Sequence, residues 1–328
     1  MHSSGYGRFH LVRKLLILAA TLSEVGWAQD KTVTLTHGGQ SRSYLLHLPT
    51  GYDSTVALPL VMDFHGLSGT SSQQAGFTGF RAQADKVKFL VAWPQGIGNS
   101  WNAGACCGSA QSGAVDDVGF AKAVVAHISS TYRVDARRVY ATGFSNGGMF
   151  TYRLASQATD VFAAGAVCAG ALLSGITSPR PIALIAIHGY DDEALPYESR
   201  TPTTFKSWST FNKCQGNPVV ETLSGRNKCE TYTTCQAGVE VALCSIEGTH
   251  AIYSNKVPFP VAERAWAFLS RFTLPSGSAV LPPQRSAARR GFVVSAPVSE
   301  ARVPLPGGYL PNGREPAENP FVKGQIHE

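Results

Sequence analysis

The chain has 328 residues, 44% hydrophobic and only 15% charged, with 33 Gly and 19 Pro. That is ample apolar material for a core, and it excludes wholesale disorder, a coiled coil and a helical array. No apolar run approaches the ~20 residues of a membrane-spanning helix, and the formal net charge of +6 is shared between the two ends and a nearly balanced middle, so no basic stripe offers a nucleic acid a footprint.

At the N-terminus, Arg13-Lys14 precede the apolar stretch Leu15 to Leu22, and a more polar segment follows, ending Gly26-Trp27-Ala28. This is the basic, apolar, small-residue order of a secretory signal, with cleavage expected after Ala28 and an extracellular destination. Residues 29–273 then alternate short apolar strands with helical segments. Thr32 to Thr36 and Ser43 to Leu48 form a predicted hairpin around Gly38-Gly39. Leu58 to Phe64 is a continuous apolar run of the buried-strand type, ending at His65-Gly66. A helix ends near Lys86, and a strand spans Phe89 to Trp93. In Asp117 to Tyr132 the apolar residues Val118, Phe120, Ala121, Val124, Val125 and Ile128 recur at helical spacing. A strand over Arg138 to Gly143 leads into a helix over Gly147 to Ala155. Further strands are expected at Ala164 to Cys168, Ile182 to His188 and Glu240 to Ile246, with a last helix from Val261 to Phe272. Strand–helix alternation of this kind implies an α/β domain, a mostly parallel central sheet with helices on both faces. Residues 274–328 carry nine of the 19 Pro and few periodic segments, and read as a Pro-rich, disordered extension.

Seven cysteines occur, at 106, 107, 168, 214, 229, 235 and 244. Four of them fall in the polar, turn-forming stretch from 214 to 244, which in an exported protein reads as a disulfide-closed surface loop. A zinc site is the competing reading, but no CxxC pair or suitably spaced histidine supports it. Cys106-Cys107 leaves a vicinal bridge open, and the odd count leaves at least one thiol without a partner within the chain.

The sharpest local signal is Gly143-Phe144-Ser145-Asn146-Gly147-Gly148, a G-x-S-x-G between a predicted strand and a predicted helix. A nucleophile elbow needs a serine at a strained turn with small residues two positions away, and it aims the free N–H groups of the following helix at a developing oxyanion. An ordinary serine also needs a base and an orienting carboxylate. In elbow hydrolases these follow in chain order. His188-Gly189-Tyr190-Asp191-Asp192 closes one predicted strand and Glu247-Gly248-Thr249-His250 the next, at the carboxyl ends where open α/β sheets keep their sites. Ser145, His250 and an aspartate are therefore the expected triad, with spacing favouring Asp192 over Asp191. The oxyanion hole is expected to use the N–H of Asn146 and of Leu67, with Ser68 in reserve, since Gly66 and Gly69 allow that loop a close approach. His65 and His188 read as supports of their own loops, and Asp116-Asp117 as a helix cap and loop brace. Trp101, in a Gly-rich loop, is read as bordering the substrate cleft, with packing beneath the loop as the alternative.

Three ordered motifs now carry a resemblance. Trp101-Asn102-Ala103-Gly104-Ala105-Cys106-Cys107-Gly108, then Val115-Asp116-Asp117-Val118-Gly119-Phe120, then Gly143 to Met149 are similar to the secreted polyhydroxybutyrate depolymerase and feruloyl esterase group, which is related to carbohydrate esterase family one. The resemblance covers residues 31–273 and implies an α/β-hydrolase fold. It also implies a serine esterase mechanism with Ser145, Asp192 and His250 as the triad, no metal, no cofactor, and a bridge between Cys214 and Cys235. A Cys229–Cys244 link is the further pairing considered. Where the family often has Thr-Trp-Pro after the histidine, this chain has Ala251-Ile252-Tyr253, and Tyr253 is expected to supply aromatic substrate-facing surface. The partner implied is an ester substrate, feruloyl-type esters of plant polysaccharide or hydroxyalkanoate polyesters, with no nucleic acid and no membrane. The triad chemistry alone leaves a serine peptidase or a non-catalytic binding protein open, and oligomeric state is not legible.

Overall fold

The computed structural model describes residues 29–254 and 259–276. The expected signal segment, residues 1–28, lies outside the described residues, as does the Pro-rich extension from residue 277. Leu274, placed by sequence in that extension, is fully buried and its N–H donates to the carbonyl of Arg137 at 2.9 Å; the folded domain therefore runs past the boundary expected at 273.

The chain opens with the hairpin β1 (Gln29–His37) and β2 (Gln40–Leu48), turning at Gly38-Gly39, both at positive φ. Strand β3 (Leu58–Phe64), helices α1 (Ser71–Phe77) and α2 (Phe80–Val87) and strand β4 (Leu90–Pro94) follow. Next come α3 (Gly108–Ser112), α4 (Asp117–Thr131), β5 (Val134–Phe144), α5 (Asn146–Gln157), β6 (Ala164–Cys168) and β7 (Ala183–Gly189). Helix α6 (Tyr197–Phe211), strands β8 (Val219–Thr222), β9 (Lys228–Tyr232) and β10 (Val241–Ile246), and helix α7 (Val261–Leu269) complete the described residues.

The strands form one sheet in the order β1-β2-β4-β3-β5-β6-β7-β10-β9-β8. From β4 to β10 neighbouring strands run parallel, and an antiparallel pair flanks each side. The parallel strands are largely buried because both faces are covered. Alternation in β3 shows how: Leu60, Met62 and Phe64 pack with Phe120, Val124 and Ile128 of α4 and Phe150 and Leu154 of α5. Val61 faces the other way, toward Phe80 and Ala84 of α2 and Val261, Ala265 and Leu269 of α7. Helix α6 covers the far end of the α5 face through Trp208, which stacks on Tyr152.

The chain leaves β3 for β4 on one side and returns to place β5 on the other. Such a reversal opens a crevice at the carboxyl ends of the strands, where ligands of open α/β sheets bind. The loops after β3, β5, β7 and β10 all emerge there, and these are the loops that carry the residues singled out from sequence.

Three helices, α1, α3 and α6, are not read from the sequence. Helix α1 (SSQQAGF) has no apolar stripe, but Thr70 and Gln73 form a reciprocal capping box at its start. Helix α6 carries Pro202 at its sixth position, past the first turn, where a proline removes the bond to the carbonyl four residues back, so the sequence there argues against a helix. Disulfides join Cys214 to Cys235, Cys229 to Cys244 and Cys106 to Cys107, while Cys168 is unpaired and buried. Cys229 and Cys244 are directly opposed on β9 and β10. Closing that 15-residue separation contributes about 3 kcal/mol through the unfolded chain. Both bridges therefore fasten the edge of the sheet from which the 247–250 loop springs.

Candidate active site

Ser145 sits between β5 and α5 at φ 53° and ψ −118°, a conformation costly for a residue with a Cβ. Two close approaches hold it. The N–H of Ser145 donates to the carbonyl of Cys168 at 2.9 Å, and at Gly147 a Cβ would run into the carbonyl oxygens of Phe64 and His65. The helix thus begins pressed against the end of β3, which only a glycine at 147 permits.

His250 reaches the serine from the loop after β10. Its Nε2 lies 2.9 Å from Ser145 Oγ, and its Nδ1 lies 2.8 Å from Asp192 Oδ2. The 190–192 and 248–250 loops are sewn together by backbone bonds from Tyr190 N to Ile246 O at 2.8 Å and from Asp191 N to Gly248 O at 2.9 Å. A Cβ at Gly189 would strike the carbonyls of Gly248 and Thr249; this glycine lets the two loops lie in contact.

Asp192 is the buried member of the Asp191-Asp192 pair. Its Oδ1 accepts from the N–H groups of Ala194 (2.9 Å) and Leu195 (2.7 Å), and His188 Nε2 lies 2.9 Å from its Oδ2. Burial by itself would raise its pKa. The hydrogen bonds from His188 and His250, with the charge of His250, outweigh burial and hold the carboxyl well below the usual range. It is thus ionised whenever His250 needs a counter-charge. Asp191 is exposed instead, its Oδ2 3.3 Å from Arg226.

The loop after β3 comes up beside the serine: a Cβ on Gly66 would sit 3.4 Å from Ser145 Cβ. Ser68 takes a positive φ and donates its N–H to Asn99 O at 2.8 Å, whereas the N–H of Leu67 has no backbone acceptor among the described residues. His65 braces this loop. Its Nε2 accepts from Gly96 N at 3.0 Å while its Nδ1 donates to Gly66 O at 2.8 Å. Burial pushes its pKa down to about 4, so it remains the neutral tautomer that both bonds require.

Two sequence readings are corrected here. Trp101 is 0% exposed and borders no cleft. Its ring stacks on Phe150 and meets Phe64 edge-on, and its Nε1 donates to His65 O at 2.9 Å. A wide apolar ring with one polar atom satisfied is a packing residue beneath the loop. Tyr253 turns its hydroxyl inward while its ring stays half-buried. Its ring packs edge-on against Phe77 and Phe144 and its hydroxyl is buried toward Cys168, so its phenol end offers nothing to a substrate.

Sequence reasoning missed the side chain of Asn146. Its Oδ1 accepts from Trp101 N at 2.7 Å and its Nδ2 donates to Trp101 O at 3.0 Å, tying the 101–108 loop to the start of α5. Asp116 caps α4 by accepting from Gly119 N, and Asp117 takes Arg42 Nη2 and Asn102 N at 2.8 Å each, so this pair braces the same loop.

Asp63 in β3 was also missed, because it sits inside an apolar run. Its Oδ1 accepts from Gln74 Nε2 (2.7 Å), and its Oδ2 accepts from Thr78 Oγ1 and Trp93 Nε1 (2.9 Å each). Burial pushes its pKa up to about 7 against the pull of those bonds. The unfolded value is near 3.9, so the native state holds the proton more tightly, and ionisation between about pH 4 and pH 7 costs stability. The stability of Asp63→Asn relative to the parent should therefore rise from pH 4 to pH 7 by on the order of a few kcal/mol and level off above. Calorimetric melts of both proteins across that range check this; a constant difference would contradict it.

Known proteins bear on this arrangement. The family model described as Esterase PHB depolymerase matches residues 42–187, a span that includes Ser145 and the β3 loop and stops short of Asp192 and His250. "Feruloyl esterase C" of Emericella nidulans is 30% identical over 205 residues, which are 60% of this chain and 72% of that protein. "Feruloyl esterase B" of Piromyces equi is 31% identical over 259 residues, 71% of this chain; the chain spans 46% of that longer protein. Among solved structures, an acetyl xylan esterase from Aspergillus awamori superposes with a TM-score of 0.59 at 15% identity, covering 74% of this chain and 99% of the other. That likeness shows the α/β-hydrolase fold. With the sequence match to a feruloyl esterase over most of its length, it follows that the chain belongs to the family of PHB depolymerases and feruloyl esterases, carboxylic-ester hydrolases of the α/β-hydrolase fold.

Proposed function

We propose that this chain is a secreted serine esterase that works through an acyl-enzyme on feruloyl-type esters of plant polysaccharide or on hydroxyalkanoate oligomers and polyester. The single observation that carries the mechanism is the unbroken chain from Ser145 Oγ to His250 Nε2 (2.9 Å) and from His250 Nδ1 to Asp192 Oδ2 (2.8 Å). Hydrogen-bond reach at both ends of one imidazole is what general-base activation of a serine requires. The relatives' names support the substrate class, and three disulfides fit an oxidising compartment.

In this mechanism His250 removes the Ser145 proton as Oγ attacks the ester carbonyl. The resulting oxyanion is held by the N–H groups of Asn146, at the start of α5, and Leu67. Asp192 fixes the tautomer with Nδ1 protonated and stabilises the imidazolium that forms. As the tetrahedral intermediate collapses, His250 gives its proton to the departing alkoxide, releasing the alcohol. The same imidazole then deprotonates a water that attacks the acyl-enzyme, and returns that proton to Ser145 as the acid leaves.

A fluorophosphonate probe tests the reading. Mass spectrometry should find it bonded to Ser145, and parallel assays should show hydrolysis of aryl esters with p-nitroanilide peptides untouched. Cleavage of the peptides in preference would make the protein a peptidase on the same fold. A folded protein that neither labels nor hydrolyses would be a binding protein.

A further inference from the structure

The carboxylate of Asp192 is held by more than its contact with His250. A second imidazole reaches it from His188, next to last in β7 and buried. Its Nε2 donates to Leu195 O at 2.9 Å and lies equally close, at 2.9 Å, to Asp192 Oδ2. A carbonyl and an ionised carboxylate only accept, so the proton of this imidazole sits on Nε2. Leu195 answers from the other direction: its N–H donates to Asp192 Oδ1 at 2.7 Å, beside that of Ala194 at 2.9 Å. The 192–195 turn is thereby closed into a ring, from carboxylate to backbone N–H, from backbone carbonyl to imidazole, and from imidazole back to carboxylate.

This ring is fastened to the sheet. His188 stands opposite Ser245 of β10 in the parallel register. Its imidazole meets the ring of Tyr197, the first residue of α6, edge-on with centroids 6.0 Å apart. The Tyr197 hydroxyl in turn lies 2.6 Å from Ser245 Oγ. A side chain close-packed between two strands and a helix has little room to rotate, so the position of β7 is passed on to the acid turn.

We propose that His188 is a positioning residue for the acid of the triad: its Nε2–H clamps the 192–195 turn and keeps Asp192 Oδ2 against Nδ1 of His250. This rests on Ser145, His250 and Asp192 being the triad. The backbone N–H groups of Ala194 and Leu195 hold Oδ1 alone, and a carboxylate held at one oxygen can pivot about it. The His188 contact at Oδ2 removes that freedom, and the bond to Leu195 O secures the residue that supplies one of the Oδ1 donors. A buried histidine that only filled space would be replaceable by an apolar side chain with little loss of rate. A clamp is not, because an imidazole misplaced by a fraction of an ångström no longer lines up with the serine hydroxyl. The loss belongs to kcat, since the clamp orients the base and touches no part of the Gly66-Leu67 loop.

The test measures kcat and KM for a short p-nitrophenyl ester, and the rate of fluorophosphonate labelling, in the parent, His188→Leu, His188→Gln, Asp192→Asn and the double variant, with thermal melts of each. His188→Leu keeps bulk and loses the donor; kcat and labelling should fall by about 10- to 100-fold with KM nearly unchanged. His188→Gln, whose Nε2 can stand in for the imidazole N–H, should recover most of that loss. Because His188 works through Asp192, the leucine should cost far less in the Asp192→Asn background than in the parent. An unchanged kcat in folded His188→Leu, a loss that His188→Gln does not recover, or equal losses in the two backgrounds overturns the proposal. Should His188→Leu fail to fold, His188→Asn, whose shorter amide cannot reach both acceptors, takes its place with the same expected losses. If the parent neither labels nor hydrolyses, or Asp192→Asn keeps full activity, the triad reading fails and the role of His188 with it. A full-rate His188→Leu beside an impaired Asp192→Asn overturns the clamp alone.

Discussion

Replacing Ser145 with alanine should lower kcat for a short p-nitrophenyl ester by about 10⁴-fold or more, with the fold and the melting temperature nearly unchanged. The size follows from the chemistry: the variant has no hydroxyl for His250 to deprotonate, and a water in its place attacks without the positioning that the elbow provides. Some rate over the uncatalysed reaction should persist, since the substitution leaves the proposed oxyanion donors, the N–H groups of Asn146 and Leu67, in place. Single-turnover and steady-state assays on both proteins check this. Retention of full activity by Ser145→Ala would remove the serine mechanism altogether.

The second large effect is expected at Asp192. In Asp192→Asn the two backbone donors, Ala194 N and Leu195 N, keep the amide oxygen at the Oδ1 position. The new NH₂ must then face His250 Nδ1, where Oδ2 now lies at 2.8 Å. Two donors cannot share that contact, so the imidazole moves its proton to Nε2 and can no longer accept one from Ser145. Activity at neutral pH should fall by about 10²–10⁴-fold. The neighbouring variant Asp191→Asn removes only an exposed contact with Arg226, worth little, and should keep nearly all activity. Measuring kcat for both assigns the acid; a larger loss at 191 than at 192 would reverse it.

The chemistry was more legible in the sequence than were its supports. The elbow at 143–147 can be read because a strand, a strained turn and a helix must follow one another within a few residues, and each leaves a local mark. Asp192 and His250 could be placed because strand ends are visible as the close of apolar runs, and the sheet's parallel order brings those ends to one edge. By contrast, β8 and β9 are short and, apart from the buried Cys229, their residues are half-buried or exposed, so no alternation marks them. Helix α1 is polar on the side it buries, through Gln74, which breaks the pattern from which helices are read.

The fold class, the order of the loops that carry the site, and the residue types on them follow from periodicity and spacing along the chain. Which way each ring and each carboxylate turns follows from packing instead. Trp101 and the hydroxyl end of Tyr253 are read from sequence as facing the cleft and turn inward instead, since apolar ring surface gains more from burial than from water. Asp192 rather than Asp191 meets the histidine because Gly189 lets the two loops touch at that register. Asp63 reads as an interruption of a strand until Gln74, Thr78 and Trp93, distant in sequence, converge on it. Partners brought together by packing leave no local trace, and those partners set the electrostatics of this site.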